Sequence, residues 1–159
     1  SRVLDCDLPL VVDADALNLV AVEPYFHDKW VLTPHPGEAA RLLGCTTNDV
    51  QQERFSAVAS IVASYGGVAV LKGAGSVIES LGSNPAVCSS GNPGMASGGM
   101  GDILSGVIAS LIAQRLELEQ AACIGVTLHA EAAERAASDG ERGLLASDLL
   151  PELRKLCNP

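Results

Sequence analysis

The chain has 159 residues, room for one domain rather than two. Hydrophobic residues make up 48% and charged ones 18%, which excludes a disordered chain. With 19 acidic against 10 basic residues, a net charge of −9, and only one Trp, two Tyr and two Phe, nucleic acid and anionic membrane surfaces are poor partners.

The first element in chain order is Pro9–Val12, a short apolar run that ends in Asp13-Ala14-Asp15. Such a run reads as a buried strand with its C-terminal end at a polar loop. Ala16–Val20 reads as a short helix or turn. Trp30–Thr33 is a second buried strand, followed by the loop Pro34-His35-Pro36-Gly37-Glu38. Glu38–Leu43 continues as helix and stops at Gly44. Thr46, Thr47 and Asp49 form a helix-capping region, and Val50–Tyr65 is read as one helix. Val68–Leu71 is the third buried strand, followed by Lys72-Gly73-Ala74-Gly75. Ser76–Glu79 and Ala86–Ser89 flank Gly82-Ser83-Asn84-Pro85 and read as a hairpin. A glycine-dense stretch, Gly91 to Asp102, opens into a helix over Ile103–Gln114. Leu118–Ala137 is a longer helix rich in small residues. Leu144–Leu156 is a terminal helix with Ser147 as its expected N-cap. Strand, loop and helix alternate, so the expected fold is α/β with a mostly parallel sheet. Ligands then sit at the C-terminal strand ends, where the loops after residues 12, 33 and 71 would meet.

Five cysteines, at positions 6, 45, 88, 123 and 157, form no C-x-x-C pair. Cys88 and Cys123 read as small buried hydrophobes, as suits a reducing compartment. No run reaches the ~18 apolar residues of a membrane span. The start of the chain lacks the pattern of a signal peptide and an initiator Met, so a processed product or a fragment is expected.

Gly98-Gly99-Met100-Gly101-Asp102 before a helix is the strongest chemical signal. Its glycines let the backbone approach a ligand, and the free N–H groups of Gly98, Gly99, Met100 and Gly101 make an anion site suited to a phosphoryl group. Asp102 is then either the base that takes a proton from an alcohol or simply a helix cap. Lys72 at a strand end is either a point charge for phosphate or a solvated side chain. His35 and Glu38 are fixed in direction by the flanking prolines, or belong to a rigid exposed loop. Asp13 and Asp15 either orient a magnesium-bound water or hydroxyl, or cap a helix. His129, mid-helix among small residues, reads as a core or surface histidine.

Val11 to Asn18, Leu32 to Ala39, Leu71 to Gly75 and Gly91 to Gly106 occur in this order, and the chain resembles the ADP/ATP-dependent NAD(P)H-hydrate dehydratase family of ribokinase-like fold. The stretch Gly-Asn-Pro-Gly-Met-Ala-Ser-Gly-Gly-Met-Gly-Asp is highly specific to that family, and the resemblance runs from about residue 8 to residue 156. It implies a three-layer fold and repair of the S-form of hydrated NADH or NADPH. A nucleotide phosphorylates the ring hydroxyl and phosphate then leaves, ADP giving AMP and phosphate, with ATP in other members and magnesium as cofactor. Carried over to matching positions, His35 and Asp102 would contact the hydrate, with Asp102 as base. Lys72, Gly73, Ala74, Gly75, Ser76 and Gly101 would bind the nucleotide. Glu38 stands where sugar-kinase relatives place a residue serving metal and phosphate. The family's domain is longer, so residues 1–159 are expected to be its C-terminal part, pairing with an N-terminal segment absent from this chain. A cytoplasmic homo-oligomer is expected. Two other readings stay open: a kinase of a vitamin-precursor alcohol, of hydroxymethylpyrimidine or thiazole type, and a non-catalytic nucleotide-binding module.

Overall fold

The computed structural model describes residues 7–158; Cys6 lies outside them. Three short strands, β1 (Leu10–Val12), β2 (Trp30–Leu32) and β3 (Val68–Leu71), run parallel side by side. A hairpin of β4 (Ser76–Ser80) and β5 (Ala86–Cys88) continues the sheet antiparallel, giving the order β1-β2-β3-β4-β5. The first strands are parallel because helices separate them. α1 (Asp15–Val22) joins β1 to β2, and α2 (Pro36–Leu43), α3 (Thr47–Gln52) and α4 (Arg54–Tyr65) join β2 to β3. After the hairpin come α5 (Met100–Ala113), α6 (Leu118–Ala136) and α7 (Leu149–Leu156).

Alternating strand residues divide the core into two layers on the sheet. Trp30, Leu32, Ala69, Leu71 and Val77 pack with residues of α1 to α4. Val31, Val68, Val70 and Ile78 pack instead with Leu104 and Ile108 of α5 and Ala122 and Val126 of α6. A third cluster, with Met100, Ala132, Ala133, Leu144, Leu149 and Leu153, fastens α7 to α5 and α6. The expected three-layer α/β architecture is thus present.

Two helix assignments are corrected. Residues 50–65 are not one helix, because Glu53 leaves helical geometry at φ −129° and ψ 55°, separating α3 from α4. The apolar spacing carries across that break, so periodicity alone does not reveal it. The terminal helix does not begin at a Ser147 cap. A 3₁₀ turn over Ala146–Asp148 precedes α7, and the Asp148 carboxylate accepts the Leu145 N–H at 2.9 Å. Thr46 does cap α3, forming a reciprocal capping box with Asp49. Cys88 and Cys123 are only partly buried against the second core layer, and both are free thiols. Among the described residues, no helix is long and apolar enough to cross a membrane.

Candidate active site

The loops after β1, β2 and β3 all leave the sheet at the same edge, as parallel strands require. They bring Asp13, His35 and Lys72 together. Asp13 is the centre of this group. Its Oδ1 accepts the Lys72 ammonium at 2.7 Å and the Ala14 N–H at 2.9 Å, and its Oδ2 accepts the Ser105 hydroxyl of α5 at 3.1 Å. Burial works against ionisation of this carboxyl. The bonds and charge from Lys72, aided by Ala14 and Ser105, outweigh it and hold the group below its ordinary value. Lys72 is therefore not a solvated strand-end lysine, and Asp13 does not cap α1 with its side chain. The helix is preceded by Ala14 at φ +48°, a backbone region uncommon outside glycine and found where function tolerates strain.

His35 and Glu38 form the second part of the site. Pro36 opens α2 at a position where a missing N–H costs nothing. His35 caps the helix, its Nδ1 accepting the N–H groups of Gly37 and Glu38 at 2.9 and 3.3 Å. Glu38 completes the box by accepting the His35 N–H at 2.8 Å. The buried Glu38 carboxylate also lies 3.9 Å from the Lys72 ammonium. The prolines and the box together fix both side chains. A continuous polar chain runs from Ser105 through Asp13, Lys72 and Glu38 to His35.

The start of α5 forms the third part. Gly99 is its N-cap residue, so Asp102 is not the cap. Asp102 sits in the first helical turn, exposed, immediately after Gly101. Gly101 is needed for close approach: a Cβ there would stand 3.1 Å from Asp13 Oδ2 and 3.4 Å from Lys72 Nζ. The first-turn N–H groups of Met100, Gly101 and Asp102 have no intrahelical acceptor and form the positive end of a 14-residue helix.

A cavity of about 760 Å³ opens beside these groups. Its walls include His35, Lys72, the whole segment Gly73-Ala74-Gly75-Ser76, Ser97, Met100 and Gly101. Asn92, at the start of the glycine-dense stretch, shapes another wall by donating to the Ala133 carbonyl at 3.0 Å and accepting the Gly94 N–H at 3.0 Å. His129 of α6 also lines the cavity, buried, with its Nε2 unpartnered among the described residues. Burial pushes its pKa down to about 4, so the ring is neutral at pH 7. Of the sequence candidates, the structure brings His35, Lys72 to Ser76, Met100 and Gly101 to one cavity. Glu38, Gly98, Gly99 and Asp102 are not among its walls. Asp13, open in the sequence to an orienting role or a helix cap, stands at the centre of the site, whereas Ser105 carries no sequence signal and His129 reads there only as a core or surface histidine.

Among the described residues, no three His, Cys, Asp or Glu side chains gather as a metal cage. Magnesium bound to a nucleotide requires less, usually one or two carboxylates besides phosphate oxygens and water. Glu38 is a single buried carboxylate beside Lys72, outside the cavity walls.

The family described as NAD(P)H-hydrate dehydratase matches residues 1–155. The chain is 57% identical over 160 residues to the bifunctional NAD(P)H-hydrate repair enzyme Nnr of Coxiella burnetii, a match covering 100% of this chain and 33% of that protein. It is 42% identical over 160 residues to the ADP-dependent (S)-NAD(P)H-hydrate dehydratase of Neisseria meningitidis, covering 96% of this chain and 54% of the relative. Among solved structures, the ADP/ATP-dependent NAD(P)H-hydrate dehydratase from Bacillus subtilis, co-crystallized with ATP/Mg2+, superimposes with a TM-score of 0.88 at 31% identity. That match covers 98% of this chain and 56% of the other, and it supports the ribokinase-like expectation. The chain thus spans between a third and somewhat over half of these proteins.

Proposed function

The chain belongs to the NAD(P)H-hydrate dehydratase family, and on that premise we propose that it carries the nucleotide-binding part of an enzyme that dehydrates the S-form of hydrated NADH or NADPH at the expense of ADP or ATP. The observation that carries the reading is one convergence. The Lys72–Ser76 loop, the Lys72 ammonium and the free N–H end of α5 meet at a single cavity large enough for a nucleotide.

The phosphate chain of the nucleotide lies along the Lys72–Ser76 loop, with Gly101 allowing close approach. Lys72 exchanges part of its contact with Asp13 for phosphate oxygen. The α5 start, Gly98 to Gly101, faces the charge that develops on the transferred group. Asp102 takes the proton from the ring hydroxyl as that oxygen attacks the terminal phosphorus. The bond from this phosphorus to the bridging oxygen breaks, leaving AMP when ADP is the donor. The C–O bond of the phosphate ester then breaks, phosphate departs with the bonding pair, and loss of a ring proton restores the dihydronicotinamide double bond. His35, held by its capping box, contacts the hydrate. Glu38 would help hold magnesium, which neutralises phosphate charge when bound. We assign the working form to the cytoplasm as a homo-oligomer. The edge strand β1 pairs with further strands of the same domain. Leu8 just before β1, and Leu19 and Val22 on α1, are exposed apolar side chains that support such a partner.

The test is Asp102→Asn in the natural full-length protein, followed by recovery of NAD(P)H absorbance from its hydrate. General-base loss lowers turnover by ~10²–10⁴, while nucleotide affinity stays level or tightens as a negative charge leaves. Turnover equal to wild type would remove Asp102 from the mechanism.

A further inference from the structure

The loop after β3 is shaped from outside the cavity. Gly73 and Gly75 have φ of +143° and +73°, values open to glycine and strained for other residues. The two glycines let the loop bend sharply where it borders the cavity, which Gly73, Ala74, Gly75 and Ser76 all line. Carbonyls of the loop turn to the opposite side, and there they meet Arg54.

Nη2 of Arg54 donates to the carbonyls of Leu71 at 3.0 Å, Lys72 at 3.4 Å and Gly75 at 3.0 Å. Nη1 donates to Gln51 Oε1 at 2.8 Å, which fixes the guanidinium plane. A Cβ on Gly73 would stand 3.1 Å from Nη1, so the loop lies directly against the arginine. Arg54 is not among the cavity walls. It is also the first residue of α4, the helix end where the dipole disfavours a cation. Its place there is compensated by three carbonyl acceptors gathered on one charged group, a strong class of hydrogen bond. On the cavity side, among the described residues, no acceptor engages the N–H groups of Gly73, Ala74 and Gly75. Three carbonyls along the loop are thus engaged by one side chain, while its three N–H groups are free among the described residues.

We infer that Arg54 is a positioning residue that holds the 72–76 loop in its anion-binding form, turning its carbonyls away and leaving its N–H groups free for nucleotide phosphate. This rests on the nucleotide reading given under Proposed function. Arg54 lies outside the cavity walls, so it acts through the loop alone. Lysine at this position keeps the charge but has no planar fork to span three carbonyls.

ADP affinity is measured by calorimetry on the natural full-length protein, on Arg54→Lys and on Arg54→Met, at a temperature where circular dichroism shows each folded. Both variants bind ADP at least about tenfold more weakly, the equivalent of one lost charged hydrogen bond. Arg54→Lys retains more affinity than Arg54→Met, and KM for the hydrate stays within about twofold of wild type. A merely structural arginine would lower the melting temperature and leave ADP affinity alone. Folded Arg54→Lys with wild-type ADP affinity overturns the inference even if Arg54→Met does not fold. Absence of ADP binding by the wild type overturns the inference together with the reading on which it rests.

Discussion

On the sheet face under α4, Trp30, Leu32, Ile61 and Leu71 are completely buried, and Tyr65 nearly so. Their polar atoms are used as well: Trp30 Nε1 donates to the Gly66 carbonyl at 3.2 Å and the Tyr65 hydroxyl to the Leu42 carbonyl at 2.7 Å. On the face under α6 the side chains are smaller, with Ala122, Gly125, Val126 and Ala130 along one helix. Gly125 lets α6 close on α5 so tightly that a Cβ would stand 2.7 Å from Ile108 Cγ1. Farther along the same helix, Val126, His129 and Ala130 line the open cavity. The strands β2 and β3 serve both faces with alternate residues. Bulk on one side makes the sheet rigid, and small residues on the other leave room for a ligand beside that rigid edge.

The comparison breaks first at Trp30. Trp30→Ala should destabilise the fold by ~3–5 kcal/mol, the usual range for truncating a buried tryptophan, measured by urea denaturation. Nucleotide affinity below the transition should change little, because the cavity lies on the other face. A loss under about 1 kcal/mol would mean that the α4 face is not the rigid one.

His129 gives the next effect. Burial, reinforced by the Lys72 charge and opposed by a Met100 backbone interaction, takes its pKa from 6.5 to about 4. The folded pKa is depressed, so between those values the unfolded chain binds a proton that the folded chain does not. Stability is complete above pH 6.5 and falls as pH drops toward 4, by about 3 kcal/mol in all at 1.4 kcal/mol per pH unit. Denaturation curves from pH 7 to 4.5 should show this slope in the wild type and lose most of it in His129→Gln. An unchanged slope in the variant would assign acid sensitivity to other groups.

Much of this plan is legible along the chain. Apolar runs ending at Asp13, Pro34 and Lys72 mark three strands, and their polar ends mark one sheet edge, because parallel strands share a direction. The glycine-dense stretch before α5 marks an anion-binding helix start by composition. What escapes is what the sequence does not hold locally. The Lys72–Asp13 pair joins residues 59 positions apart. Arg54 reaches the loop from a different helix, and its place in the break at Glu53 is hidden by a spacing that suits one continuous helix. His129 is a lone histidine among small residues, and only the fold shows that its neighbours leave a cavity there. Asp102 is prominent in the sequence and stands outside the cavity walls, so its role rests on the family and its own test.

The Lys72–Asp13 pair has the smallest expected effect on stability and separates the duties of the open side. Both side chains are largely buried, at 21% and 14% exposure, so removing one partner leaves the other poorly solvated. Lys72→Met strips Asp13 of its main compensation. Ala14 and Ser105 still bond the carboxylate, so the expected destabilisation is about 1–3 kcal/mol, typical of an under-satisfied buried group. The Asp13 pKa rises, so the stability tied to its ionised form is lost at a higher pH on acidification than in the wild type. Asp13→Asn in the same chain removes the buried charge and should recover most of that stability. Nucleotide affinity should follow a different rule. If the ammonium serves phosphate, Lys72→Met weakens ADP binding by roughly 1.5–3 kcal/mol, and Asp13→Asn does not restore it, because the missing group is a cation. Denaturation and calorimetry on both proteins give the answer. Affinity that recovers along with stability would make Lys72 a counter-ion of Asp13 and nothing more.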